Sequence, residues 1–262
     1  MKISDVHCHI YPSKIASKAV KSVADFYDTG MAGDGTIEGL EKTLIGYEID
    51  KVIVHSVATK IEQVRHVNDF LYDTIRDREG YYGFITLHPT MTKYQIESEV
   101  EWGIERGFRG VKLHPEFQNF YVDDEDVFKI YRAVSGKLPI LFHTGDKTRD
   151  NSVPSRVAYV ARKFPRLQII AAHFGGYQRW DETDAYLGID NISFDTSSAL
   201  GFMPIEMADE LIAKFGVDKF MFGTDFPMWD MQGELERFSK LDLDDSQREM
   251  ILTKNLDRLL GF

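Results

Sequence analysis

The sequence predicts an α/β protein of one domain, a (β/α)8 TIM barrel. Three observations lead there. Strand-like runs alternate with helical stretches along the whole chain, and alternation of this kind builds a parallel sheet. There are eight such runs, the number that closes a barrel, in a chain of 262 residues, an ordinary length for that fold. Five segments spread over the chain carry a β-type run into a turn through a histidine or an aspartate: DVHCHIYP at 5–12, VKLHPE at 111–116, ILFHTG at 140–145, IIAAHFGG at 169–176 and MFGTDFP at 221–227.

In chain order, the first strand is expected at 2–7. It leads into the longest segment without clear periodicity, 11–35, which ends in TGMAGDG. Following a strand, this segment belongs at the C-terminal mouth of a barrel. Gly30, Gly33 and Gly35 give it the freedom of a loop, either a lid over a site or a decorative insertion. A helix at 36–47 precedes strand 51–57, and a helix at 62–79 precedes strand 81–87. The helix at 92–106 stops at Gly107 and that at 124–136 at Gly136, as C-terminal glycines require. Between and after them come strands 109–114 and 138–143. Pro154 marks the start of a helix at 152–164. Strand 167–173, helix 177–188, strand 191–196, helix 204–216, strand 219–224 and helix 244–260 complete the series. The alternative, an open doubly wound sheet, usually has fewer strands and a glycine-rich phosphate loop. Neither GxGxxG nor GxxxxGK[ST] occurs.

Composition narrows the functional class. A net charge of −11 with no long Lys/Arg block argues against a nucleic-acid surface. The one cysteine, Cys8, permits no intrachain disulfide and suits a reducing compartment. The N-terminus lacks an apolar signal region, and no run of 18 apolar residues is present. The expectation is a cytoplasmic protein whose partner is a small-molecule substrate, with no membrane or nucleic-acid partner and with homo-oligomerisation left open.

Of eight histidines, seven fall at or just past the end of an expected strand: His7, His9, His55, His88, His114, His143 and His173. Only His66 sits in a helical stretch, and it reads as a surface residue. Active sites of this fold gather at the C-terminal ends of the strands. His7 and His9 are two apart, so they share one strand face, and Cys8 takes the other, toward the helices. His143 follows the apolar PILF, where a buried ring needs a partner. His173 ends IIAA ahead of two glycines that permit close approach, and Asp225 ends FMFGTD. A buried carboxylate there must be paired, metal-bound or protonated. Each residue alone reads equally as a satisfied core polar group. Together they read as a site for a divalent cation.

HxH on strand one, a histidine on strand five, HxGG on strand six and GTDxP on strand eight resemble the amidohydrolase superfamily. More closely, the chain is similar to the amidohydrolase-related barrel branch that includes aminocarboxymuconate semialdehyde decarboxylase, and the similarity runs from Asp5 to the terminal NLDRLLGF. This resemblance implies one divalent metal held by His7, His9, His143 and Asp225, with His173 as the catalytic imidazole beside it. Zinc is the expected ion, with manganese or a similar ion as the alternative. Lys112 occupies the place where some two-metal relatives carry a carboxylated lysine; its other expected roles are to pair with a substrate carboxylate or with Asp225. The chain is shorter than the decarboxylases.

A divalent ion would lower the pKa of a bound water toward about 7. His173 and Asp225 would orient that water and shuttle its proton, so both are expected to be catalytic. The leading expectation is therefore a metal-dependent hydrolase of a small acidic or cyclic amide, ester or lactone. The alternative is a nonoxidative decarboxylase on the same site, and the third reading is a non-catalytic ligand-binding barrel. Lys147, Arg149 and Arg179 are candidate anion-binding cations, each with the plainer reading of a solvated loop charge. Tyr11, Trp229, Lys112 and His114 complete the expected substrate-binding set. Phe142 is expected to face the helices.

Overall fold

The computed structural model of the chain describes residues 1–262. Eight parallel strands pair strictly in chain order: β1 (Ile3–His9), β2 (Ile49–His55), β3 (Tyr81–Thr86), β4 (Gly110–Leu113), β5 (Ile140–Phe142), β6 (Ile169–Ala171), β7 (Ile192–Asp195) and β8 (Phe220–Met221). Beyond β8 the chain runs on beside β1. The Val6 N–H donates to Phe222 O at 3.0 Å, the Asp225 N–H to His7 O at 2.8 Å and the His9 N–H to Phe226 O at 2.6 Å. These bonds close the sheet into the expected barrel. The later strands are shorter than expected, because their last residues leave the ladder to turn toward the site.

Eleven helices flank the strands: α1 (Ser13–Tyr27), α2 (Ile37–Thr43), α3 (Val64–Ile75), α4 (Lys93–Glu105), α5 (Pro115–Gln118), α6 (Phe128–Val134), α7 (Pro154–Lys163), α8 (Ile205–Phe215), α9 (Met231–Phe238), α10 (Asp245–Glu249) and α11 (Asn255–Leu260). Parallel strands must bury both faces. Inside the barrel, Val6, Ile53, Phe84, Leu141, Ile170 and Met221 form an apolar plug, with Leu256 and Leu260 of α11 packed on it. The terminal Phe262 ring lies 4.4 Å from Tyr82 near the start of β3, so α11 seals the N-terminal end. Outside, a larger core joins strands to helices. Val111 and Leu113 belong to it, which turns Lys112 inward. Cys8 and Phe142 also belong to it, as their strand positions predict.

The segment 11–35 departs from expectation. It is not a loop throughout; it contains the 15-residue helix α1. Ile15, Ala19, Ser22, Val23 and Phe26, at helical spacing, face the cavity, so the helix is amphipathic; the glycines that follow it belong to a loop, but the whole segment does not. Helix α9 was also illegible. It is eight residues long, capped by the Asp230 side chain, which accepts from the Gly233 N–H at 2.8 Å. The expected helix at 177–188 forms only a 3-10 stretch, Trp180–Tyr186. The expected helix at 244–260 is α10 and α11 joined by a π turn, Met250–Lys254. No helix is long and apolar enough to cross a membrane.

Candidate active site

Barrel closure brings the ends of β1, β4, β7 and β8 onto one point. His7 Nδ1 lies 2.8 Å from Asp195 Oδ2. A carboxylate accepts, so the His7 proton is assigned to Nδ1 and the Nε2 lone pair faces the barrel axis. Around that Nε2 stand His9 Nε2 at 3.2 Å, Asp225 Oδ1 at 3.3 Å and Lys112 Nζ at 3.0 Å. His9 Nε2 is 3.4 Å from the same Asp225 oxygen.

Each member is held from behind. Asp195 Oδ1 accepts from the backbone N–H groups of His173 and Ser197, at 2.9 and 3.1 Å, and from the Ser197 hydroxyl at 2.6 Å. Asp225 Oδ2 accepts from the Ser198 hydroxyl at 2.5 Å, and Ser198 Oγ accepts from the Trp229 indole N–H at 3.0 Å. Asp5 ties β1 to the end of the barrel, accepting from the His7 and Thr224 N–H groups, each at 3.0 Å. Backbone strain collects here: His173, Ser198 and Asp225 all have left-handed φ, at 61°, 47° and 62°.

His173 extends the cluster. Its Nε2 is 3.0 Å from His143 Nδ1, and its Nδ1 is 3.0 Å from Ser197 O. Beyond His143, the His114 ring stacks on it with centroids 4.0 Å apart, and the Tyr27 hydroxyl reaches both, at 3.0 Å to His114 Nε2 and 3.3 Å to His143 Nε2. Glu116 lies behind them. Its Oε1 accepts from the Ser152 hydroxyl at 2.5 Å, and its Oε2 has no hydrogen-bond partner.

Burial dominates the electrostatics. It holds His7, His9, His55, His114 and His143 well below the usual imidazole range and His173 at about 4, so these rings are neutral. It pulls the Lys112 ammonium down to about 8 and pushes Asp225 up to about 6 and Glu116 up to about 7. Neutral imidazoles with a carboxylate 3.3–3.4 Å away form a donor set that fits a divalent transition ion. Three groups of three ligand-type atoms fall within 4.8 Å of one another here, His7–His173–Asp225, His7–His9–His55 and His114–Glu116–His143.

A cavity of about 480 Å³ opens onto this cluster. Its floor includes His9, His143, His173 and Asp225, and its walls include Phe26, Phe70 and Phe117. No lysine or arginine lines it. Helix α1 covers one side of the mouth, and the exposed His66 stands at the rim.

The expected residues divide accordingly. His7, His9, His173 and Asp225 come together; His143 joins them through His173. Tyr11 and His114 line the cavity. Lys112 lies beneath it, against His7 rather than in hydrogen-bond contact with Asp225. Trp229 holds Ser198 instead of walling the cavity. The expected anion-binding cations do not reach it. Arg179 is engaged with Asp150 at 2.6 Å and Glu182 at 2.7 Å; Arg149 stacks on the Phe26 ring at 4.5 Å; Lys147 is exposed. His88 bonds Thr90 at 2.8 Å, apart from the cluster. Asp195, Ser197, Ser198, Glu116 and Tyr27 were missed. Only Asp195 left a signal, an acid at the end of the ISFD run.

The family model described as Amidohydrolase matches residues 4–262. The chain belongs to the amidohydrolase family. No curated protein matches the chain. Solved structures share its fold at low identity. An uncharacterised barrel protein from Bordetella bronchiseptica is 16% identical over 100% of this chain and 99% of its own, with a TM-score of 0.81. A dihydroxybenzoic acid decarboxylase from Polaromonas sp. JS666, with bound manganese and the inhibitor 2-nitroresorcinol, is 16% identical over 99% and 97%, at 0.75. The 5-carboxyvanillate decarboxylase from Sphingomonas paucimobilis is 15% identical over 100% and 99%, at 0.71.

Proposed function

We propose that this chain is a metal-dependent nonoxidative decarboxylase of a small aromatic acid. The cavity carries the reading: it is walled by aromatic rings, has no cation on its lining and ends on the histidine–aspartate cluster. An aromatic ring fits the walls. A substrate with several separated anionic groups does not, since the lining offers them no positive side chain. The decarboxylases of similar fold, one holding manganese, support this choice over the hydrolase.

His7, His9 and Asp225 would hold a zinc or manganese ion, with His143 or His173 as a further donor. When bound, such an ion would supply a positive charge that holds an anionic group of the substrate in place. The residues do the rest. Phe26, Phe70 and Phe117 orient the ring and exclude water. A proton taken up from solvent by Asp225, or relayed from solvent through the neutral His173 ring, is delivered to the ring carbon bearing the carboxylate. The C–C bond then breaks, its electron pair stays with the ring and CO₂ departs. Asp195 fixes the His7 ring, and Ser198 fixes Asp225.

Hydrolysis of an ester, amide or lactone is the second reading, favoured by the His143–His173 pair on the cavity floor, which can serve water as acid and base. One assay separates them. Metal-reconstituted protein is offered hydroxybenzoic acids and, separately, aryl esters and lactones, with CO₂ and acid release followed. CO₂ from an aromatic acid is expected. Acid release from esters or lactones without any CO₂ would replace the decarboxylase by the hydrolase.

A further inference from the structure

We propose that His55 is a metal donor from β2, completing a three-imidazole face with His7 and His9. His55 ends β2 and is paired in register with His9 across the β1–β2 ladder. Neighbours in register on parallel strands turn their side chains to the same face, so His55 points into the barrel with His9. Its ring meets His9 edge-on, with centroids 4.4 Å apart and planes at 87°, and lies 4.9 Å from His7.

The ring is fully buried, and neither of its nitrogens has a hydrogen-bond partner. An unpartnered buried polar group costs stability unless something satisfies it. Leucine or phenylalanine would fill an apolar strand position without that cost. The ligand-type nitrogens of His7, His9 and His55 lie within 4.8 Å of one another. A divalent ion among them would satisfy the orphaned ring and add a donor from a strand that contributes nothing else to the cluster. These three nitrogens form an N₃ face, which suits zinc and leaves either zinc or manganese open positions for oxygen ligands. This inference rests on the metal-dependent reading.

The test uses Co²⁺ titrated into chelator-stripped full-length protein, followed by visible absorption, calorimetry and thermal unfolding. His55→Phe keeps an aromatic edge against His9 and removes the nitrogens; His55→Leu is the second variant, should the first fail to fold; His7→Ala is the control. Wild type is expected to bind Co²⁺, and His55→Phe to bind about 10–100-fold more weakly or worse, with altered band shape and intensity. Metal-free His55→Phe should melt at or above the wild-type temperature, because the orphaned ring is gone, while its gain on adding Co²⁺ should shrink. A His55→Phe protein with wild-type affinity, spectrum and metal-induced stabilisation would overturn the proposal alone, provided His7→Ala loses binding. A wild type that binds no Co²⁺ would overturn the metal-dependent reading together with it.

Discussion

Asp195 Oδ2 accepts a hydrogen bond from His7 Nδ1 at 2.8 Å, joining residues 188 positions apart. The bond decides which His7 nitrogen faces the barrel axis. Asp195→Asn removes the charge that fixes this tautomer while keeping the side chain's shape. Metal affinity is expected to fall about 10–100-fold, as for other partners that orient a ligand. Competition with a chelator of known affinity measures it. Unchanged affinity would make Asp195 a core residue only.

Asp225 has two tasks in the proposed mechanism, charge toward the cation and proton movement. Asp225→Asn keeps an oxygen in place and leaves the Ser198 hydroxyl a partner. Some metal should remain, and turnover should collapse. Metal content and rate are read on one sample. A full metal complement with a near-normal rate would move the proton role to His173.

His173 separates binding from chemistry. His173→Ala is expected to retain most of the metal and to lose about 10²–10⁴-fold in turnover, the usual contribution of a positioned acid–base group. If metal is lost as fully as in His7→Ala, His173 becomes a ligand, in keeping with its place beside His7 and Asp225.

Glu116 should give the fold a pH dependence. Burial raises its carboxyl from the ordinary 4.5 to about 7. Between those values the folded chain holds a proton that the unfolded chain releases. The contribution is therefore fully present below pH 4.5 and is lost as pH rises through about 7. A shift of that size corresponds to on the order of 3 kcal/mol. Glu116→Gln should flatten the melting temperature between pH 5 and 8 relative to wild type. Parallel profiles for the two proteins would exclude the titration.

Arg179 and Arg149 lie outside the cavity, engaged with Asp150, Glu182 and the Phe26 ring. Arg179→Ala and Arg149→Ala are expected to leave kcat/KM for an aromatic acid within about twofold, since exposed ion pairs contribute little. A tenfold rise in KM would return an anion-binding role to this loop.

What the sequence by itself determined is local and periodic. Strand–helix alternation gave eight strands and a barrel. Two-residue spacing put His7 and His9 on one face and Cys8 on the other. Ligand residues at strand ends marked the mouth and, with the motif order, the family. The pattern lost α1 because the glycine-rich end of 11–35 made the whole segment read as a loop, and it lost Tyr27 with it. It also read Arg149, Arg179 and Trp229 as possible site residues, because adjacency in sequence does not say which way a loop turns.

The tertiary structure decided which strand ends meet. Asp195 reads as an ordinary acid at a strand end until closure sets β7 within reach of β1. Ser197 and Ser198 read as turn residues until they are found bonded to Asp195 and Asp225. His55 reads as another strand-end histidine until its register with His9 and its lack of any partner are visible. The physical reason is the same for all three. Periodicity fixes the face a side chain takes on its own element, but how far it lies from groups on other strands and in the turns beyond them is set by barrel closure, and burial then determines which of them must be satisfied by one another.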